Sequence, residues 1–271
     1  MQPATIPASD AQLCLPIWPS HQRGLPNAFA RSALFAVGNR RDARQFLKDA
    51  PIAAVNGITI TYRGEELRQD DEDVFLQLLH LARGQDVQTV VGFTAGAMLR
   101  ELGWTRNSAS MDRLVECINR MVASSISVTV SDHNGTRENF TGSLIRAFRW
   151  REDATGRNLR RWTILLEPEI VSLFSPRAFS RVDWHIRLKL PPLAKWLHSF
   201  YHSHAEPYPY RVETIKALTG SRIGTLYQFR YKLKEALAQL VEHGFLAEAT
   251  ICPRTDLVMV KRRQQHVALA A

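Results

Sequence analysis

The sequence predicts an α+β protein: two tandem helix-turn-helix domains, each closed by a β-hairpin, behind a flexible N-terminal arm. Three observations carry that class. "SRIGTLYQFRYKLKEALAQLVEHGF" (221–245) reads as one long helix, with Leu226, Phe229, Leu233, Ala236, Leu237 and Leu240 sharing a side at helical spacing. Two β-prone runs, "FLAEATI" and "DLVMVKRR", follow it around the turn "CPRT" (252–255). Upstream, two helices within 93–123 lead in the same way into strand-like runs at 125–131, 143–150 and 160–171. That order is a winged helix, whose hairpin forms a wing beside a DNA-reading helix.

Each element has a local reason. Residues 1–24 mix Pro, Ser and Ala with isolated hydrophobes, the composition of a flexible arm. The first domain spans 25–188 and opens with a short helix in "LPNAFARSALFAVG" (25–38). "PIAAVNGITITYRG" (51–64) is a hairpin around Asn56-Gly57, a tight-turn pair. "EELRQDDEDVFLQLLHLARG" (65–84) crowds carboxylates into the first turns of a helix, where they complement its dipole. In "FTAGAMLRELGW" Thr94 is placed to cap a helix that ends near Gly103. "NSASMDRLVECINRMVAS" keeps Met111, Leu114, Val115, Ile118, Met121 and Val122 in helical register. "DHNGTREN" and "REDATGRN" then serve as turns between strands. Leu188 to Pro192 is the joint, and the second domain runs from 189 to 263 with a tail at 264–271. It starts on "PPLAKWLHSFYHSH" (191–204), whose prolines suit a first helical turn, followed by "RVETIKALTG" (211–220).

Composition bounds the function. A formal net charge of +9 over 271 residues favours an anionic partner, and 45% hydrophobic residues suffice for real cores. Cys14, Cys117 and Cys252 are an odd set without CxxC spacing, which fits a reducing cytoplasm better than a disulfide framework or zinc ribbon. No signal-peptide pattern and no membrane span is read from the sequence, and no cofactor motif such as GxxxxGK[ST] occurs.

The long helix of the second domain turns Tyr227, Tyr231 and Lys234 away from its apolar stripe, flanked by Gln228, Lys232 and Arg230. A solvated face usually mixes Glu, Lys and Ala, so this one asks for a partner. Residues placed for base edges are Ser221, Arg222, Thr225, Gln228 and Lys232; Arg pairs with guanine and Gln with adenine. Tyr227, Arg230, Tyr231 and Lys234 suit the backbone, as do Arg254, Lys261, Arg262 and Arg263 on the wing. In the first domain Arg106, Asn107, Ser108, Ser110, Arg113 and Arg120 stand open to DNA or to a protein interface alike.

"RSALFAVGNRR", "ITYRGEELRQDDEDVFLQLLHLA", "HAEPYPYRVETIKALTGS" and the wing ending "VKRR" resemble the TrfA family of plasmid replication initiators, from about Leu25 to Arg263. The resemblance implies tandem winged-helix domains that bind directly repeated origin sites (iterons) and open the duplex locally, exposing single-stranded DNA. It also implies recruitment of the host initiator and the replicative helicase, and exchange between dimers and monomers. In the arm, "QLCLP" (Gln12, Leu13 and Leu15 among its residues) resembles the Gln-Leu-x-Leu-Phe peptide that binds the bacterial sliding clamp. It departs at Pro16, where Ile17 and Trp18 would have to supply the apolar group, and N-terminal packing is the alternative.

Competing readings are fewer. "HSH" (202–204) near Tyr208 and Tyr210 evokes a rolling-circle nicking enzyme, but Ser203 breaks the His-hydrophobe-His pattern and Pro207 and Pro209 interrupt any strand. His198 and His202 lack further metal ligands nearby and read as a structural pair. Trp104, Trp150, Trp162 and Trp184 read as core. A two-domain transcriptional repressor would use the same DNA chemistry and remains the principal alternative to an initiator.

Overall fold

The computed structural model describes residues 14–39, 41–131, 136–150 and 161–263. Its first strand, β1 (Gln22–Pro26), corrects the arm: it pairs antiparallel with a strand at Phe179–Asp183. Ahead of it, Leu15 and Trp18 are 1% and 2% exposed. The Trp18 indole N–H donates to His80 Nδ1 at 3.0 Å, and its ring stacks on Phe174. Residues 14–24 are thus a wall of the core, formed by pairing with distant chain that leaves no local signal.

One helical turn, α1 (Asn27–Ala30), and a short strand, β2 (Phe35–Ala36), take the place of the helix expected over 25–38, because strand pairing claims residues on both sides. β3 (Phe46–Ile52) and β4 (Ile58–Glu65) make the anticipated hairpin, with Gly57 at φ +88 in its turn. After β5 (Leu67–Arg68) comes α2 (Gln69–Ala82), buried along nearly its whole length. β6 (Val91–Phe93) leads into α3 (Ala95–Glu101), where the Thr94 hydroxyl accepts from the Ala97 N–H at 3.2 Å, and then α4 (Ser108–Val122). β7 (Ser125–Ser131) and β8 (Arg137–Gly142) extend the hairpin into a four-stranded sheet ordered β3-β4-β7-β8. β8 lies partly in a stretch read as turn. Only Phe140 of its residues is buried, so it lacks the alternation that announces a strand.

β9 (Ile145–Arg149) and β10 (Trp162–Leu166) join β6 in a three-stranded sheet ordered β6-β10-β9. The strand expected to reach 171 ends early, and Pro168, without an N–H to donate, opens a 3-10 helix (Pro168–Phe174). β11 (Phe179–Asp183) and α5 (Trp184–Lys189) finish this half. The second half is α6 (Pro192–His202), β12 (Tyr210–Arg211), α7 (Val212–Leu218), α8 (Leu226–Glu242), β13 (Leu246–Ile251) and β14 (Leu257–Arg262). Its sheet is ordered β12-β14-β13. α8 begins at Leu226, not Ser221, because the Thr225 hydroxyl caps it by accepting from the Gln228 N–H at 3.2 Å.

The halves share one connectivity. α2-β6-α3-α4-β9-β10 and α6-β12-α7-α8-β13-β14 each run helix, strand, helix, helix, strand, strand, with the last strand central in the sheet. In the first copy the β7–β8 hairpin is inserted after α4. Two clusters of buried side chains follow the same division, one ending at Trp184 and the other starting at Leu190.

The carboxylates of "DDED" do more than favour a helix dipole. Asp71 is fully buried and accepts from Arg44 at 2.6 Å and Arg120 at 2.9 Å; Asp70 pairs with Arg44 and Arg113. Facing the second half, Asp73 accepts from Arg187 at 2.7 Å and from Lys195, and Glu72 lies 3.1 Å from Arg187. Arg187 is wholly buried, so these pairs weld α2 to α5 and α6.

Candidate nucleic-acid interface

α8 buries Phe229, Leu233, Leu237 and Leu240 and leaves Tyr227 and Tyr231 at 78% and 60% exposure. Gln228 and Lys234 are exposed beside them, so an amide, two phenols and an ammonium share the open face. Lys232 is exposed as well, 2.9 Å from Glu235. Arg230 is differently placed: its Nε and Nη2 donate to the two Asp256 carboxylate oxygens, each at 2.8 Å. Those two bonds hold the Asp256 carboxyl below its ordinary pKa and fasten α8 to the turn between β13 and β14. Expected on the DNA backbone, Arg230 is paired here with Asp256 and braces the hairpin against the helix.

On that hairpin Arg254 and Lys261 are exposed, as is Arg263 just past its end. Arg262 is half-buried and donates to the Ala205 carbonyl, tying β14 to the loop after α6. At the other end of α8, Ser221 accepts from the Ile223 N–H at 3.4 Å, and Thr225 is the cap already described. Arg222 is turned toward the first half, 3.3 Å from Glu66 and donating to the Ala43 carbonyl at 3.0 Å. Expected at a base edge, it is paired here with Glu66 while its side chain stays 39% exposed.

The first-half set divides. Arg106, Asn107 and Ser108 are exposed and Ser110 is half-exposed at the start of α4, where the Asn107 side chain accepts from the Ser110 N–H at 2.8 Å. Arg113 lies 3.7 Å from the centre of the Trp104 ring and pairs with Asp70, and Arg120 is buried on Asp71; both hold the fold together. A basic group missed in the sequence flanks the other hairpin: Arg146 and Arg149 are exposed on β9, next to Trp150. Trp150, expected in the core, is 36% exposed and stacks on Phe148 at 4.7 Å. Trp162 and Trp184 are core as expected.

Of the clamp-like peptide, Gln12 and Leu13 lie outside the described residues, and Leu15 is spent in the core. Packing, the alternative reading, accounts for Leu15. His198 and His202 face each other at 4.7 Å between ring centres, against Phe245. Both His198 ring nitrogens and His202 Nε2 are buried without a hydrogen-bond partner, and burial pushes the His202 pKa down to about 4. Among the described residues no three His, Cys, Asp or Glu side chains converge on a metal position, and no helix is long and apolar enough to cross a membrane.

What the geometry defines is a two-part α+β protein with an open polar-aromatic helix braced to a basic hairpin. Solved structures share the fold. Domains 2 and 3 of RctB match at a TM-score of 0.59 and 14% identity, over 89% of this chain and 99% of that one. A second structure of the same domains matches at 0.53 and 14%, over 82% and 92%. The sequence goes further than the fold: a model of the TrfA protein family matches residues 8–262, and the chain belongs to that family. The plasmid replication initiator protein TrfA of Escherichia coli is 34% identical over 247 residues, 90% of this chain. The chain spans 63% of that relative's length.

Proposed function

We propose that this chain is a non-enzymatic initiator of plasmid replication that binds directly repeated origin sites. In this reading both halves are winged helices. The second supplies base readout, with Gln228 foremost and Ser221, Thr225 and Lys232 in support. Tyr227, Tyr231, Lys234, Arg254, Lys261 and Arg263 hold the phosphodiester backbone. The first half adds backbone contacts through Arg106, Asn107, Ser108 and Ser110 or offers a dimer surface. The observation that carries the reading is the open Tyr227–Gln228–Tyr231–Lys234 face, braced by the Arg230–Asp256 pair to a hairpin with its own exposed cations. The family relationship adds local origin opening, engagement of the host initiator and helicase, and monomer–dimer exchange in a bacterial cytoplasm.

The test is footprinting of the purified protein on the origin region of the replicon that encodes it, with permanganate in the same reactions. Protection repeated at helical spacing, beside reactive thymines in an A·T-rich tract, is the expected result. One protected operator over a promoter with no opened thymines would make it a repressor.

A further inference from the structure

Arg222 stands at the elbow between α7 and α8, yet it grips the first half of the molecule. The Ala43 carbonyl that accepts from it at 3.0 Å also accepts from Arg68 at 3.1 Å. The Glu66 oxygen that lies 3.3 Å from it also accepts from Arg68 at 2.9 Å and from the Gln45 N–H at 3.4 Å. Arg68 is buried and additionally holds the carbonyls of Asn39 at 2.6 Å and Asp42 at 3.0 Å. At the near end of the same segment, the Val37 N–H donates to the Thr219 carbonyl at 2.8 Å. Gly220, at φ +62, lets the elbow lie on the segment: a Cβ there would sit 3.0 Å from Ala36 Cβ.

First-half residues 37–39 and 41–43 therefore lie along the α7–α8 elbow, with the carbonyls of Asn39, Asp42 and Ala43 fixed by arginines. A cleft of about 630 Å³ opens beside them, walled by Asn39 and Asp42 on one side and by Lys232 and Gln239 of α8 on the other. Asn39 and Arg41 are exposed, and Arg41 has no ion pair among the described residues. The Asn39 side-chain oxygen accepts from the Arg41 N–H at 3.1 Å, which leaves the amide NH2 and the Arg41 guanidinium exposed as donors beside the elbow, the kind of group that fixes a protein on a duplex through its phosphates.

We propose that this segment is a second limb of the DNA interface, supplied in cis by the first half: Asn39 and Arg41 contact the phosphodiester backbone flanking the bases read by α8, and Arg222 positions the limb instead of reading a base. The proposal rests on the DNA-reading role of α8. It assigns duplex DNA as the partner, and it explains why an arginine at the elbow is committed to Glu66.

Equilibrium binding of the full chain to its protected repeat and to a scrambled duplex, over a range of salt, tests it. Arg41→Ala is expected to weaken both duplexes by the same factor, roughly tenfold, and to lower the salt slope by about one. Arg41→Lys should retain the slope. Arg222→Ala and Glu66→Gln should weaken both duplexes alike, with the double variant no weaker than either single one and base preference unchanged at every position. Unchanged affinity and slope in Arg41→Ala would overturn the limb. Relaxed preference at one base pair in Arg222→Ala, absent in Glu66→Gln, would make Arg222 a reader and overturn its positioning role. Gln228→Ala runs alongside: if it loses preference while Arg41→Ala leaves affinity and salt slope unchanged, only the limb has failed, and if both variants are silent, the α8 reading fails with it.

Discussion

Arg222 and Arg230, expected on DNA, and Arg113 and Arg120, expected on DNA or on a protein interface, are all paired with carboxylates: Glu66, Asp256, Asp70 and Asp71. Spacing fixes the direction of a side chain relative to its own helix. It says nothing of a carboxylate brought in from another element, so these pairings were illegible. Among the described residues no other element covers Gln228, Tyr227, Tyr231 and Lys234, and the local pattern sufficed to place them on the open face of the helix. Gln228→Ala is expected to cost about 1–3 kcal/mol of specific affinity and to relax preference at one base position, as binding-site selection would show. A second residue-scale expectation concerns acid. The folded pKa of His202 is about 4, below the unfolded value near 6.5, and burial likewise lowers that of His198. The unfolded chain takes up the proton first as pH falls. Stability is therefore complete above about pH 6.5 and declines down to about pH 4, by about 3 kcal/mol for His202 alone. His202→Gln should flatten that part of the profile in thermal melts compared across pH.

At the scale of elements, the hairpin β13–β14 was legible because a turn sequence separates two apolar runs, whereas β8 was hidden by its exposed, polar residues. β1 was hidden for another reason: its partner β11 comes from the far end of the first half. The Arg230–Asp256 brace ties α8 to the hairpin turn. Lys261→Ala should accordingly weaken specific and nonspecific duplexes to a similar degree and reduce the salt slope by about one, since a backbone contact carries no sequence information. Titration of both duplexes at several salt concentrations reads this directly.

Across the whole molecule, two stretches of chain share one connectivity, and the buried side chains form two clusters, with first-half Val37 and Val55 packed against the second. How the units are joined was not anticipated. The acidic run 70–73 is the weld: Asp73 is held by Lys195 across the boundary and by Arg187, which itself donates to Ser199 of α6. Asp73→Asn leaves the buried Arg187 short of a counter-charge and should lower stability by about 3–5 kcal/mol in urea unfolding, while the open face of α8 keeps its residues. The arm shows the reverse case: composition marks 1–24 as loose, but Leu15 and Trp18 find a core that only the assembled fold provides. The central claim is that the open face of α8 selects sequence. The ratio of affinities for a protected origin repeat and its scrambled duplex, measured for the native chain and for Gln228→Ala at one fixed salt, tests it most directly. The account predicts a ratio that falls by roughly tenfold or more in the variant while nonspecific affinity stays. An unchanged ratio would contradict it.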